Sequence, residues 1–340
     1  MKKYLLPNEG NFYKANLHCH STNSDGKLTP EQIKDIYTQK GYSIVAYTDH
    51  DVLIPHHELT DDNFLALSGY ELEINERWEG NFSKLKTCHM CFIALSPEND
   101  KQVLYHRHKY LFGNAVNLRD KLKFDDSAPD YERYYTHECI SEMMKTGRDN
   151  GFFVTYNHPA WSLERAENYL GYNGMHAMEI CNYSCVCSGY PDYNEQIYDE
   201  MILSGKRIFC TATDDNHNSH PVDTPKCDSF GGFTMIKAPA LKYTDITNAL
   251  LKGNFYASQA PLIYDLYVED GKIHITCSNA KSIRLNTGRR RTEIVYSDKN
   301  EYITSACFNV DKEDVYVRIT VTDEEGKHAN TNAFFVDEIL

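Results

Sequence analysis

Short apolar runs alternate with helical segments through the first 260 residues of the chain. In the clearest unit, Thr29-Pro30-Glu31-Gln32 forms a capping box that begins a helix, Gly41 ends that helix, and an apolar run over 43–47 follows. Strands that alternate with helices indicate an α/β fold with a parallel sheet, often a barrel. Further runs of strand type lie at 64–67, 90–95, 152–156, 178–180 and 207–211.

The pattern changes after about residue 260. Short strands at close spacing, separated by turn signals such as Asp270-Gly271, replace the helix–strand units, and no segment there has a helical period. We therefore expect an α/β domain over 1–260 and a small, sandwich-like all-β domain over 261–340. Residues 100–135, which are rich in charge and tyrosine, are expected to form an irregular insertion or a lid.

Composition narrows the classes of function. The 340 residues include 35 Lys and Arg against 49 Asp and Glu, a net charge of −14 that disfavours binding to long nucleic acids. No run approaches the ~20 apolar residues of a membrane helix, and the N-terminus lacks the apolar core of a signal peptide. The 11 cysteines are an odd number spread along the chain, so we expect reduced thiols and a cytoplasmic protein.

The candidate chemistry lies in histidines and carboxylates placed at or beside predicted strand ends. His18 and His20 are two residues apart, so in an extended segment both point to the same side. Imidazole and carboxylate are ligands of Zn²⁺, Mn²⁺ and Fe²⁺, and this set is too large for one ion, which suggests two or three ions that share a carboxylate. Glu73 competes with Glu71 because both lie on one strand face. The candidate ligands are His18, His20, Asp25, His50, Glu71, His89, His158, Asp215 and His217.

Four motifs connect these residues to a known family. H-x-H-x-x-x-x-D-G covers 18–26, T-D-H covers 48–50, G-x-E covers 69–71 and D-x-H covers 215–217. Together they resemble the PHP family, named for polymerase and histidinol phosphatase, along residues 14 to about 220. The resemblance implies a distorted (β/α)₇ barrel with a dinuclear or trinuclear metal site. Gly253–Ser258 followed by Pro261 is more weakly similar to the carbaryl-hydrolase-like subgroup of PHP metallohydrolases.

The resemblance also implies how the ligands divide among the ions. Asp25 stands where some family members have histidine, which favours Mn²⁺, Fe²⁺ or Mg²⁺ over Zn²⁺ at that ion. The implied ligands are His18, His20, Glu71 and Asp215 for one ion, Glu71 as a bridge with His89 and His158 for a second, and Asp25, His50 and His217 for a third.

Catalytic roles are implied for Asp49, Asp215 and His217. Asp49 would orient ligands or accept a proton. The sequence leaves open the role of Asp214, which directly precedes Asp215. Arg77 follows the strand that carries Glu71, and an arginine near metal ions suits a phosphate or carboxylate of the substrate, although a surface ion pair would explain it equally well.

The leading hypothesis is a metal-dependent phosphoesterase that acts on a small-molecule phosphate ester through hydroxide generated at two or three divalent ions, with Zn, Mn or Fe expected and Mg also compatible. One alternative keeps the ions and hydrolyses a phosphodiester or a carboxyl or carbamate ester. A second, of another class, is a non-catalytic metal-containing module for binding or regulation. The sequence leaves the substrate, the oligomeric state and the purpose of residues 261–340 open.

Overall fold

A long curved sheet with short helices on it organises the protein. The computed structural model describes residues 2–77 and 84–340, and within them the expected α/β architecture is confirmed. The strands up to residue 258 are β1 Lys3–Tyr4, β2 Asn11–Asn16, β3 Ile44–Tyr47, β4 Leu65–Asn75, β5 Thr87–Ala94, β6 Phe152–Tyr156, β7 Ala177–Asn182, β8 Phe209–Thr213, β9 Phe233–Ala238 and β10 Phe255–Ser258.

The helices are short and lie between the strands. None of those in the described residues has the length and apolar character needed to cross a membrane. They are α1 Pro30–Gln39, α2 His137–Asp149, α3 Ala166–Tyr169, α4 Tyr183–Cys187, α5 Glu195–Leu203, α6 Tyr243–Leu251 and α7 Val336–Ile339, with 3₁₀ turns at His57–Leu59 and Gly113–Lys121.

Local sequence explains the best-defined unit. Thr29 Oγ1 accepts the N–H of Gln32, and the Gln32 side chain accepts the N–H of Thr29, so the predicted capping box is confirmed. Gly41 adopts the predicted left-handed conformation, with φ of +76°, just after the end of α1. The chain then enters β3, whose four residues are all buried.

The strand β5 runs against both of its neighbours, which corrects the expected parallel alternation. Residues 76–86 join β4 to β5, and a crossover between parallel strands needs a dozen or more residues, so the two strands pair as a hairpin. His89 lies near the start of this reversed strand. It therefore reaches the same edge of the sheet as the carboxyl ends of the parallel strands β3, β6, β7 and β8.

The curved sheet brings β8 back towards β9, although no backbone ladder joins these two strands in the described part of the chain. Side chains span the seam instead. The N–H of Ala212 donates to Thr234 Oγ1 at 3.2 Å, and Thr234 Oγ1 donates to the carbonyl of Ala212 at 3.0 Å. The N–H of Cys210 in β8 also donates to Asn332 Oδ1 at 2.9 Å, in the C-terminal part of the chain. The backbone hydrogen bonds thus form an open order from β9 through β2 to β8.

Strands dominate the residues after 261, as expected, but α7 adds one helical turn at the C-terminal end that the hydrophobic pattern did not predict. Two ladders cross the predicted domain boundary, since β1 pairs with the first of these strands and β10 pairs with the seventh. The boundary itself stays a prediction. These strands are β11 Ile263–Glu269, β12 Lys272–Ala280, β13 Ser282–Thr287, β14 Thr292–Tyr296, β15 Ile303–Asn309, β16 Tyr316–Thr322, β17 His328–Thr331 and β18 Phe334–Phe335.

A buried arginine joins β16 to the helix α5. Arg318 is fully buried, and its guanidinium donates to Asp199 Oδ1 at 2.7 Å, to Asp199 Oδ2 at 2.6 Å and to Glu195 Oε1 at 2.8 Å. Tyr316 donates a further hydrogen bond to Asp199 at 2.8 Å. Removing one member of such a pair leaves the other charge poorly solvated, which is costly.

We expect the substitution Arg318→Met to lower the free energy of unfolding by about 2–4 kcal/mol, because Asp199 would lose its guanidinium partner while remaining partly buried and Glu195 would keep only Arg284 as a charged partner. Urea denaturation followed by circular dichroism measures this change. Arg290→Met, at an exposed position on the same group of strands, serves as the control. A loss below about 1 kcal/mol for Arg318→Met would contradict this role of the ion pair.

Candidate metal centre

The structure brings all the sequence-predicted ligands together at one edge of the sheet. His18 and His20 follow β2 on either side of Cys19, which pairs with Asn216 in an isolated bridge. This pairing aligns the segment after β2 with the segment after β8, so that the two histidines face Asp215. His50 follows β3 and bridges to Glu71. As expected from their spacing, His18 Nε2 and His20 Nε2 point to the same side, 3.1 Å apart.

The carboxylate of Glu71 is the centre of the cluster. Its side chain is only 1% exposed, and five imidazoles surround it. Three of them face one oxygen and two face the other, which is the arrangement expected of a bridging carboxylate. Oε1 lies 3.2 Å from His18 Nε2, 3.2 Å from His89 Nδ1 and 3.3 Å from His158 Nε2, and Oε2 lies 3.4 Å from His20 Nε2 and 3.3 Å from His50 Nδ1.

Asp215 is a second shared carboxylate. Its Oδ1 lies 3.2 Å from His18 Nε2 and 3.0 Å from His20 Nε2, and its Oδ2 lies 3.9 Å from His158 Nε2. Two ligands held at ~2.0–2.2 Å from one tetrahedral ion are roughly 3.3–3.6 Å apart. The separations around Glu71 and Asp215 are therefore close to those of ligands that share an ion.

Four residues at the outer side form a further group that can hold an ion, namely His20, Asp25, His50 and His217. Asp25 Oδ2 lies 3.4 Å from His217 Nε2, and Asp25 Oδ1 lies 3.6 Å from His20 Nδ1. His217 Nδ1 donates to the backbone oxygen of Asp215 at 3.0 Å, which leaves Nε2 as the acceptor nitrogen. This group contains the three ligands implied for the third ion and adds His20.

Several buried polar atoms of the cluster have no hydrogen-bond partner among the described residues. They are His20 Nδ1, His50 Nδ1, both ring nitrogens of His89 and Asp215 Oδ1. Buried polar atoms are almost always paired, so a concentration of unpaired lone pairs in one place needs a ligand to explain it. Divalent cations satisfy nitrogen and carboxylate lone pairs without a hydrogen. The donor set and its spacing thus fit divalent metal ions.

The electrostatics of the cluster keep its carboxylates ionised. Burial opposes ionisation of Glu71, but the imidazoles of His18, His89 and His50 outweigh it and hold the pKa of this carboxyl well below its usual range. Burial and the neighbouring His20 lower the pKa of His50 to about 3, so this ring is neutral, the form that ligates metals. For His158, burial is outweighed by Glu71 and Asp215, which raise its pKa to about 9.

The sequence analysis missed Glu179, a buried carboxylate behind the ligands. Its Oε1 accepts hydrogen bonds from His18 Nδ1 at 2.7 Å and Thr213 Oγ1 at 2.6 Å, and its Oε2 accepts the N–H of His158 at 3.0 Å. A carboxylate on the far nitrogen fixes the ring of a ligating histidine and raises its basicity. Glu179 lies in β7, and only the fold brings it within reach of two ligands, so no local sequence signal identifies it.

Two further aspartates hold the loops that carry the ligands. Asp49 accepts hydrogen bonds from the N–H and hydroxyl of both Ser21 and Ser24, at 2.7–3.1 Å, and so shapes the loop between His20 and Asp25. Asp214 accepts the hydroxyl of Tyr37 and the N–H groups of residues 230–232, at 2.8–2.9 Å. Burial raises the pKa of Asp214 to about 7. Of the two roles left open for Asp49, this geometry favours orientation.

A cavity of about 300 Å³ opens above the cluster. Besides ligands, it is lined by the aromatic residues Phe112, Trp161 and Tyr190. Phe112 comes from the predicted insertion, and its ring lies 4.8 Å from that of His50. Arg77 does not reach this cavity. It is exposed and lines a neighbouring cavity, so its contact with a substrate stays a prediction.

Comparison with protein-family models and with curated proteins gives no match. Among solved structures, a two-domain protein from Bacteroides vulgatus containing a predicted PHP-like metal-dependent phosphoesterase has a TM-score of 0.48 and 15% identity over 98% of both chains. A proposed metal-dependent phosphoesterase from Bifidobacterium adolescentis has a TM-score of 0.36 and 15% identity over 62% of this chain and 89% of its own. An amidohydrolase from Chromobacterium violaceum, solved with sulfate and no metal, has a TM-score of 0.37 and 15% identity over 60% and 87%.

The chain is similar to PHP-like metal-dependent phosphoesterases. At 15% identity this similarity carries over neither a substrate nor the roles of single residues. None of the three structures named here is described as a carbaryl hydrolase, so the likeness to that subgroup stays a prediction.

We expect Glu179→Gln to weaken binding of the tightest Mn²⁺ ion by roughly 10–100-fold, because His18 would lose the charged acceptor that orients it. Isothermal titration calorimetry on protein stripped with a chelator measures the affinity. Asp314→Asn removes another buried carboxylate, which pairs with Arg289 and Arg291 far along the chain, and is the matched control. Equal affinities in wild type and Glu179→Gln would exclude a positioning role for Glu179.

Proposed function

We propose that the protein is a metal-dependent phosphoesterase that hydrolyses a phosphate ester of a small molecule. The observation that carries this proposal is the convergence of five imidazoles on the two oxygens of Glu71, beneath an open cavity. A shared carboxylate of this kind suits adjacent ions, and adjacent ions suit a phosphoryl group because they bind two of its oxygens. The ligands are proposed to divide among two or three ions as the family resemblance implies.

When bound, the ions would polarise the phosphoryl oxygens and lower the pKa of water. The chain's own part is to hold the ligand atoms in place. Glu179 and Ser162 engage Nδ1 of His18 and His158, which leaves Nε2 of each ring to face Glu71 and Asp215. The ligand set is therefore formed before any substrate arrives, and little reorganisation is needed during reaction.

The proposed catalytic residues are Asp215 and His217, with Asp49 as a positioning residue. Asp215 and His217 both line the cavity, and the side chain of His217 is 27% exposed, so a substrate can approach it. Asp25, at 33% exposure, is the most accessible of the proposed ligands and stands at the group implied for a third ion. A closed barrel of PHP type is proposed from the same resemblance, and the side-chain contacts between β8 and β9 are compatible with it. The division into domains over 1–260 and 261–340 is proposed from the change in the strand pattern after residue 260.

A second candidate is hydrolysis of a phosphodiester or of an uncharged carboxyl or carbamate ester at the same ions. It is favoured by one observation: the described residues that line the cavity include no lysine or arginine. A phosphate dianion usually finds such a group, whereas an ester with little charge needs none. The two candidates differ in substrate and use the same ligands.

We expect Mn²⁺-loaded protein to hydrolyse p-nitrophenyl phosphate, and His18→Ala and His158→Ala to lower kcat/KM at least about a hundredfold by removing ligands. His274→Ala, in β12, is the control for loss of a histidine elsewhere. Release of p-nitrophenol measures the rate, and metal content is measured on each variant.

Three outcomes would contradict the proposal. Activity that survives both substitutions together with exhaustive chelation excludes the metal site. Turnover of bis(p-nitrophenyl) phosphate or p-nitrophenyl acetate in preference to the monoester favours the second candidate. Less than one metal ion per chain, with no turnover of any ester, favours a non-catalytic binding or regulatory module.

A further inference from the structure

We infer that the cavity selects phosphate esters whose leaving group is flat and either uncharged or cationic, and that Glu73 is the residue that rejects a second anionic group. This inference rests on the proposed function and concerns the same site. It is carried by the distribution of charge around the cavity and by two fixed aromatic side chains.

The described residues that form the walls of the cavity include no lysine or arginine. Beyond the ligands, these residues are aromatic, small or acidic. Two basic groups nearby are engaged elsewhere. Arg133 is buried against Asp51 and donates to the backbone oxygen of Glu73 at 2.7 Å, and Lys109 pairs with Glu132 at 2.6 Å beside the neighbouring cavity. With no lysine or arginine among the described lining residues, the positive charge that faces a phosphoryl group here would come from ions at the floor of the cavity.

Glu73 places a negative charge in the wall. It lies two residues beyond Glu71 on the same face of β4, its side chain is 12% exposed, and its Oε2 lies 3.8 Å from His89 Nε2. Asn75 donates to its Oε1 at 2.5 Å and so fixes the carboxylate. Unlike Glu71, Glu73 belongs to none of the groups of described residues that can hold an ion. Its carboxylate thus borders the cavity beside His89 and is not used by the proposed ligand set.

Two aromatic rings lie beside the cluster, and each contacts different imidazoles. Phe112 contacts His50, whereas the ring of Trp161 lies 5.3 Å from His89 and 5.0 Å from His158. The backbone that carries each ring is held in place by hydrogen bonds. The N–H and the side chain of Asn114, two residues after Phe112, donate to the carbonyls of Ser24 and Thr22 at 3.0 and 3.1 Å.

The backbone at Trp161 is fixed by a buried carboxylate. Asp192 is fully buried, and its two oxygens accept the N–H groups of Trp161 at 2.7 Å and Ala160 at 3.2 Å. The rings thus form preformed apolar walls, which suit a flat leaving group and not a strongly hydrated one. With a volume of about 300 Å³, the cavity is at the small end of ligand sites.

These features act together on a bound ester. With the phosphoryl group at the floor, the leaving group lies between the aromatic walls, and a second anion on it must approach Glu73 in a partly desolvated space. Repulsion between the two like charges would weaken binding of such an ester roughly tenfold. An ammonium group in the same place is attracted by Glu73 and by the faces of the rings.

Three aryl phosphates of similar shape test this inference. We expect kcat/KM for 4-carboxyphenyl phosphate to be roughly tenfold below that for phenyl phosphate, and 4-(aminomethyl)phenyl phosphate to be hydrolysed at least as well as phenyl phosphate. Glu73→Gln should bring the ratio of the carboxyl to the unsubstituted ester several-fold closer to one. The control Glu132→Gln, a carboxylate of the neighbouring cavity, should leave that ratio unchanged. Comparing ratios between variants cancels the different reactivities of the leaving groups.

The failure of this inference is distinguishable from that of the proposed function. If phenyl phosphate is hydrolysed but Glu73→Gln leaves the ratio as in wild type, the inference is wrong and the phosphoesterase stands. If no phosphate ester is hydrolysed, the phosphoesterase proposal fails, and with it the inference. A second measurement needs no variant: binding of phenylphosphonate and 4-carboxyphenylphosphonate to Mn²⁺-loaded wild type by calorimetry. Equal affinities for the two phosphonates would also overturn the inference.

Discussion

One carboxylate is buried among five imidazoles, and the surrounding residues are arranged to hold this charge in place. Glu71 has 1% of its side chain exposed and is within 3.2–3.4 Å of nitrogens from five histidines. In the neutral form that binds metal ions, each imidazole offers one N–H, and that of His18 is already donated to Glu179, so the lone pairs of the cluster exceed its hydrogens. A cluster of this composition is stable when cations take the place of the missing hydrogens, and folding and ion binding are then linked.

The residues behind the cluster explain how it is held. Glu179 engages one ligand through its ring and another through its backbone, Asp49 organises the loop before Asp25, and Asp228 accepts the N–H of His217 at 2.8 Å. Each carboxylate is buried and receives several hydrogen bonds, which offset the cost of burying its charge. Buried carboxylates behind the ligands thus hold them in position, and the loops that carry the ligands have little freedom to move.

Much of this site could be predicted because its residues come in short motifs at strand ends. His18 and His20 are recognisable because their spacing is combined with further histidines and carboxylates at strand ends, and the capping box of α1 is encoded within four residues. What could not be predicted depends on contacts between distant segments. The reversal of β5 follows from the length of a connection, and the approach of Glu179 to His18 joins residues 161 positions apart. Phe112 and Trp161 carry no local signal, since either would serve equally well in a core.

The C-terminal strands contribute to the same site through one of its walls. Asn330 of β17 exchanges hydrogen bonds with the hydroxyl of Tyr193 at 3.1–3.2 Å, and the ring of Tyr193 stacks on His328 at 4.8 Å. Tyr193 adjoins Asp192, which holds the backbone of Trp161. A hydrogen-bonded path therefore runs from β17 to the aromatic wall beside His158. Arg318 in the neighbouring strand β16 is hydrogen-bonded to α5, which begins two residues after Tyr193. Buried polar contacts therefore hold the chain on both sides of Tyr193, and movement of the C-terminal strands would displace the aromatic wall.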